Sequence, residues 1–454
     1  MQAQSSVRRN SELALLIVAL MVGAGAIVLV GLARDVDKGV IEAVPLIASA
    51  SVAYIVAHIF MRRIARQADP MILPLIAVLN LIGLAAVYRL DPTPGGYGPT
   101  QVTWTAVSIV FLIGTLFLLR DYRILARYKY IFGFAGLFLL LLPLSPLGAE
   151  INGARLWLRL GPLSFQPGEL AKIALVIFFA AYLSERKEVL AVASRRLGPL
   201  HVPDVKHFGP LLVMWGLSLA AMFFLKDLGS SLLFFSIFLA MIYIATARVI
   251  YAAFGLVLFA IGATIGYGLF AHVQLRVQTW MDPFNPDTIS NESFQLAQSL
   301  FAFATGGLFG TGWGLGRPDI IPAAQTDFIF SVIGEELGLM GAAAVVVCFM
   351  LLVARGLRIA MNTNDDFGQL LTAGLITSFG LQTIIIMGGV TRLLPLTGIT
   401  LPFMSLGGSS MLSNFILMAL LIRISDQTAT TPDPALTGEI LIGGRGPVTE
   451  GAAS

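Results

Sequence analysis

The sequence predicts an all-α integral membrane protein, a polytopic bundle of about twelve transmembrane helices with a large extracytoplasmic loop between helices nine and ten. Three observations predict it. Of 454 residues, 57% are hydrophobic and only 12% are charged, about half the charged share of an ordinary soluble domain. The apolar residues gather in runs of about 17 to 25, the length a helix needs to cross a hydrocarbon core about 30 Å thick. The single cysteine, Cys348, falls inside such a run, which excludes an intrachain disulfide framework.

The spans fall at residues 12–33, 40–61, 71–89, 101–119, 130–147, 167–184, 209–225, 229–246, 249–272, 328–353, 367–389 and 399–423. The first continues past 20 residues with no A-x-A-like site and reads as a retained span, not a cleaved signal. Only "KDLG" separates 209–225 from 229–246, so the alternative of one long kinked helix is tested against loop charge. With both termini inside, the inner loops collect Arg8 and Arg9, Arg62, Arg63 and Arg66, Arg120, Arg123, Arg127 and Lys129, Arg186 and Lys187, Arg355 and Arg358, as the positive-inside rule requires of twelve spans. The outer loops keep a sparse set of cations: Arg155, Arg159, Lys226, Arg276, Arg317 and Arg392. Residues 1–66 then hold two leading spans, 67–423 the membrane core, and 424–454, rich in Thr, Pro, Gly and Ala, a disordered cytoplasmic tail.

Ionisable residues in or beside spans are costly and mark candidate sites. In "GARLWLRLGPLSFQPGELAKI", Arg155, Trp157 and Arg159 precede a helix start at Pro167. Glu169 and Lys172 share one helical face and can pair, either as a site or simply capping and neutralising each other. "FFLKDLGSSLLFF" sets Lys226 and Asp227 at the junction of two spans; an interfacial lysine can snorkel, whereas the aspartate beside it asks for a role. "TDFIFSVIGEELG" opens the tenth span with Asp327 and carries Glu335 and Glu336 further along the same helix, facing other helices or a polar cavity. "TRLLPLTGITLPFMSLGGSSMLSNF" joins Arg392 to prolines and the small residues Gly407 to Ser410, a broken backbone tolerated at membrane depth only inside protein. The glycine-rich stretch 306–316 lacks a GK[ST] ending and reads as a re-entrant turn before a phosphate loop. His58, His201, His207 and His272 show no ligand spacing and read as surface or interfacial residues without a metal role.

These segments resemble the signature blocks of the SEDS family (shape, elongation, division and sporulation), the RodA/FtsW-like proteins. "GARLWLRLG…FQPGELAKI", "KDLGSSLL", "QSLFAFATGGLFGTG", "TDFIFSVIGEELGLMG" and "LPLTGITLPFMSLGGSS" occur in order and spacing over residues 70 to 423. Family members usually have ten spans, so the pair at 12–33 and 40–61 is additional, as in long actinobacterial members.

The resemblance implies a peptidoglycan glycosyltransferase that polymerises lipid II into glycan strands at the outer face of the bacterial cytoplasmic membrane, in elongation or division, with a class B penicillin-binding protein as partner. It implies substrate contacts from Arg155, Trp157, Glu169, Lys172, Lys226, Asp227, Gln295, Asp327, Glu335, Arg392 and Ser405. The reaction needs a base for a sugar hydroxyl and cations for the departing pyrophosphate. Family members read "DPxGxGYQ" where this chain reads "NPDTISNESFQ", with the Pro–Asp order reversed. Asp287 lies nearest the catalytic aspartate's place; Asp282, in an Asp–Pro turn, is the alternative. A divalent cation, Mg²⁺ or Mn²⁺, between pyrophosphate and Asp227 or Asp287 is compatible with this chemistry but not demanded by it. Nothing points to nucleic acid. Two other classes fit part of the pattern: a lipid-linked precursor flippase or transporter, which would need midplane polar groups facing both sides, and a non-catalytic scaffold activating the penicillin-binding protein, which would tolerate loss of Asp287.

Overall fold

In lipid, a run of about twenty apolar residues can satisfy its own backbone only as a helix, and each expected span contains one. The computed structural model describes residues 2–430 apart from 37, 92, 94, 152–153, 161–162, 193, 198–199, 204–208 and 226. Lys226 and residues 431–454 of the expected tail thus lie outside the described residues. The helices are α1 (Gln2–Arg34), α2 (Gly39–Ile64), α3 (Ile72–Leu90), α4 (Tyr97–Leu118), α5 (Ile124–Arg127), α6 (Lys129–Leu141), α7 (Gly168–Val192) and α8 (Gly209–Phe224). They continue with α9 (Leu228–Thr246), α10 (Val249–Leu269), α11 (Ala271–Met281), α12 (Phe294–Gly306), α13 (Ile329–Glu336), α14 (Gly338–Asn362), α15 (Asp366–Val390) and α16 (Gly408–Thr430). Among the described residues, nine helices are long and apolar enough to cross a membrane; α6, α7 and α8 occupy the other three expected positions. Helices α8 and α9 are separate, with Asp227 accepting a hydrogen bond from the Ser230 amide at 2.9 Å to cap α9.

The centre of the bundle is α16, flanked by α4, α7, α14 and α15. Of its most apolar window 89% is buried, against 6% for α10, which meets the rest of the bundle mainly through α9 and α11. Helices α1 and α2 pack on α3 and α4. Between η1 (Leu142–Leu144) and α7, three short antiparallel strands, β1 (Gly148–Ile151), β2 (Ala154–Leu160) and β3 (Leu163–Phe165), form a small sheet in order β1-β2-β3. A second hairpin joins β4 (Ser194–Leu197) to β5 (Leu200–Pro203).

Four features correct the sequence reading. The tenth span is broken: α13 ends at Glu336, and α14 restarts at Gly338, whose φ of 67° is left-handed. The glycine-rich stretch supplies what the break needs. Thr311 and Gly312 donate their amides to the carbonyls of Glu335 and Glu336 at 3.0 and 2.9 Å, and Leu339 donates to the Gly307 carbonyl at 2.9 Å. The expected span at 399–423 is helical only from Gly408; before it, Leu401, Phe403, Met404 and Ser405 are buried in irregular backbone. Helix α16 also runs on to Thr430, past the expected start of the tail, because Arg423 and Asp426 pair at 3.4 Å and Asp426 accepts the Gln67 amide at 2.7 Å. Finally, His58 is not a surface residue. It is 3% exposed, and its Nδ1 lies 2.7 Å from Glu12 Oε1, while Glu12 also pairs with Arg9.

Candidate functional site

The end of the bundle formed by the starts of α7, α9 and α16 and the end of α15 holds a cavity of about 570 Å³. Its wall combines Trp104, Trp157, Glu169, Asp227, Arg276, Gln325 and Asp327 with the backbone bends at Thr397–Thr400 and Leu406–Gly408. Each charged group arrives by a different local device. Glu169 lies in the first turn of α7, where the helix dipole favours an acid. Asp227 is the cap of α9 and is 6% exposed. Asp327 sits in the turn before α13, held there by the neighbouring bend: Ser405 donates to the Thr326 carbonyl, and Leu406 donates to the Gln325 carbonyl at 2.8 Å. Arg276 comes from α11, donating to the Leu396 carbonyl at 2.8 Å.

Beneath the cavity, Lys172 is 2% exposed and donates to Glu169 at 2.8 Å and to the Gln382 side-chain oxygen at 2.6 Å. Ser413 donates to the same Glu169 oxygen at 3.1 Å, and Gln382 donates to the Thr400 carbonyl at 2.9 Å. One hydrogen-bonded chain therefore runs from α16 through α7 and α15 to the bend that lines the cavity.

The electrostatics of the wall follow from burial. Burial raises the Asp327 carboxyl to about 6, with the Thr326 hydroxyl and Arg276 pulling the other way. Burial also raises Asp227, against its bonds to Ser230 and the charge of Arg276. Arg276 is lowered by its own burial and supported by Asp227 and Asp327. Two acids and one guanidinium thus form a coupled set with a polar mouth, able to hold a phosphate-bearing group by the cation and to exchange a proton through an acid. Among the described residues, no group of three or more His, Cys, Asp or Glu is arranged to hold a metal ion.

The structure brings together Trp157, Glu169, Asp227 and Asp327 of the expected set, with Lys172 and Ser405 as supports. It places the others elsewhere. Arg155 is exposed and donates to the Ser145 carbonyl at 2.9 Å. Gln295 lies in the first turn of α12 and does not line the cavity. Glu335 accepts the Arg317 amide at 2.9 Å, and its neighbour Glu336 pairs with Arg89 at 3.1 Å, so both serve the helix break. Arg392, at φ 64°, donates to the carbonyls of Trp280 and Met281 and so ties down the end of α11. Asp287 is exposed on the loop after α11, its amide bonded to the Asn285 side chain at 3.0 Å, and does not line the cavity. Asp282 is exposed as well. Of the outer cations available to a departing pyrophosphate, Arg155, Arg159, Lys226, Arg276, Arg317 and Arg392, Arg276 is, among the described residues, the one that lines the cavity; its place on α11, invisible while 273–327 reads as a loop, is what aims it inward.

A family model described as cell cycle protein, covering FtsW, RodA and SpoVE, matches residues 61–430. The chain is 45% identical over 433 residues to the peptidoglycan glycosyltransferase RodA of Mycobacterium tuberculosis (strain H37Rv), covering 92% of this chain and 90% of that one. It is 36% identical to the probable peptidoglycan glycosyltransferase FtsW of Geobacter metallireducens, over 69% of this chain and 80% of that one. A solved chain from a peptidoglycan synthase complex, described as coordinating polymerization and crosslinking, superposes with a TM-score of 0.66 at 25% identity, covering 80% of this chain and 99% of its own length. The rod shape determining protein RodA of Thermus thermophilus shares the fold with a TM-score of 0.55 at 24% identity, over 80% of this chain and 98% of that one.

Proposed function

The chain belongs to the FtsW, RodA and SpoVE cell cycle family and is a peptidoglycan glycosyltransferase; we propose that the cavity at the head of α7, α9 and α16 is where it takes lipid II. The observation that carries this reading is the wall itself, with Arg276 beside Asp227 and Asp327, and Trp157 and Glu169 completing it. The transfer needs a cation for the phosphates, an apolar face for a sugar ring and a carboxylate to take the hydroxyl proton, and the wall supplies groups of each kind.

In the proposed reaction the 4-hydroxyl oxygen of one lipid-linked disaccharide attacks the anomeric carbon of the growing chain. The hydroxyl proton passes to a carboxylate, and the bond to the lipid pyrophosphate breaks with its electron pair leaving on the phosphate oxygen. Arg276 stabilises that charge. The base is assigned to Asp287 by the resemblance of its segment to the family's catalytic block; its loop links α11, which carries Arg276, to α12. Asp327 is the second reading, favoured by its place in the wall and by a carboxyl near 6, ionised at neutral pH yet basic enough to accept a proton. A divalent cation accompanying the pyrophosphate would find carboxylates in Asp227 and Asp327.

The distribution of loop arginines supports both termini inside and this cavity outside, and the bacterial relatives support the cytoplasmic membrane as its place. The fold shared with a chain of a peptidoglycan synthase complex supports a class B penicillin-binding protein as partner. The test is polymerisation of labelled lipid II by the purified chain with that partner. Loss with Asp287→Ala but not Asp282→Ala supports the loop base; full activity of Asp287→Ala together with loss in Asp327→Asn transfers the role to the cavity acid. Strands made equally by all three variants would sink both assignments.

A further inference from the structure

Helix α16 joins two cavities. Gly408 lines the one described above, and Thr428 lines a second, also about 570 Å³ in volume, at the opposite end. The two are separated by roughly 30 Å of helix, the thickness of a hydrocarbon core. The second cavity lies between the start of α1, the α2–α3 turn, the end of α14 and the end of α16. Three arginines line it: Arg8, Arg355 and Arg358. Arg355 is neutralised by Asp69 at 3.0 Å. Arg8 donates to the Gln67 carbonyl at 2.6 Å, and neither it nor Arg358 has an ion-pair partner among the described residues. Asn364 also lines the space and is exposed.

Arg8 and Arg358 are exposed, as are Arg63 and Arg66, but Arg63 and Arg66 do not line this cavity. Arg8 and Arg358 instead converge from different helices on one cavity many times the ~30 Å³ share of a water molecule. A cavity with unbalanced guanidinium charge at the headgroup level suits a phosphate oxyanion, which Arg binds as a fork. Arg358 also stands between the lipid-facing Leu357 and Met361, 40% and 72% exposed, so an acyl chain can lie along α14 below it. We propose that this cavity binds a phosphate monoester or diester, supplied by an anionic phospholipid headgroup or by a soluble phosphate, and that the ligand ties the α1 end to α14 and α16.

The test uses the full chain in detergent and reads the thermal unfolding midpoint with added phosphatidylglycerol, phosphatidylcholine or inorganic phosphate. Phosphatidylglycerol, and not phosphatidylcholine, should raise the midpoint. The Arg8→Gln/Arg358→Gln double variant should need about tenfold more of it or more, one lost charge-assisted bond being worth that factor. Arg63→Gln/Arg66→Gln, which removes equal charge outside the cavity, should respond like wild type. A shift by inorganic phosphate alone, lost in the Arg8/Arg358 variant, identifies the soluble source. Should that variant fail to fold, Asn364→Asp, which places an anion in the cavity, should weaken the shift alone. Equal responses of wild type and cavity variants, or no response of wild type to either anion, overturn the proposal.

Discussion

Replacing Lys172 by Met removes the cation beneath the candidate site while keeping the shape of the side chain. Lys172 is 2% exposed and donates to Glu169 and Gln382. Its loss leaves a buried carboxylate with only the Ser413 hydroxyl and strips the Gln382 oxygen of its donor. Breaking a buried pair from one side costs about 3–5 kcal/mol; the opening of Glu169 onto the cavity lets water reach it, which sets the expectation near the lower end, about 3 kcal/mol. Equilibrium unfolding of the solubilised chain measures this. Adding Glu169→Gln removes the stranded charge, and the double variant should return to within about 1 kcal/mol of wild type, a rescue of about 2 kcal/mol. Activity separates structure from chemistry: the double variant should be stable yet fail to polymerise lipid II, because the Glu169 carboxylate lines the cavity. A loss below about 1 kcal/mol in Lys172→Met would refute the burial argument. A double variant that polymerises at the wild-type rate would show that the pair only holds helices together.

Three further outcomes are expected. If Asp327 supplies the base, activity should fall as pH drops through about 6, where its raised carboxyl takes up a proton, and Asp327→Asn should be inactive at every pH; a wild-type profile flat from 5 to 8 excludes it. Because that carboxyl is raised on folding, its ionisation opposes the fold as pH rises from 3.8 to about 6, so Asp327→Asn should gain stability relative to wild type more at pH 7 than at pH 4 in unfolding titrations. Gly338→Ala should cost about 1–3 kcal/mol or more, since its φ is 67° and a Cβ would lie 2.3 Å from the Gly310 amide nitrogen, whereas Gly262→Ala, with open space around it on α10, should be neutral or slightly stabilising.

What could be read in the sequence follows the range of the forces involved. A lipid-spanning run has one backbone solution, so every expected span holds a helix, and the junction at Asp227 was set by a three-residue cap. The breaks were harder. Leu337 and Gly338 read as the interior of an apolar helix, because the carbonyls freed there are capped by residues 311 and 312, a long-range bargain that no local pattern records. Glu335 and Glu336 take part in the same break: they close α13, one accepting the Arg317 amide and the other pairing with Arg89. Trp157, Glu169, Asp227 and Asp327 were legible as charged or aromatic residues where hydrophobicity was expected. The sequence offers Arg276 and Arg392 alike as outer cations, and it does not show that one lines the cavity and the other pins α11, because that helix lies in a loop too polar to show its inward face.

The transporter reading fails on the layer below the cavity. Alternating access needs polar groups near the midplane that can face either side. Here the rings of Phe349, Phe379, Phe403 and Phe415 pack in succession, tilted or edge-to-face, at centroid distances of 5.7, 5.8 and 5.3 Å, and Phe379, Phe403 and Phe415 are at most 1% exposed. The hydroxyls beside them are turned back on their own helix, Ser378 onto the Leu375 carbonyl and Thr383 onto the Phe379 carbonyl. Opening a route from the site to the arginine-lined cavity would separate packed aromatic surface of α14, α15 and α16, and the buried Asn80 beside it is already paired with Tyr54, Thr105 and the Phe403 carbonyl. A substrate that enters beside Arg276 therefore meets a closed floor, which suits a group-transfer site where both sugars arrive and leave on one face of the membrane.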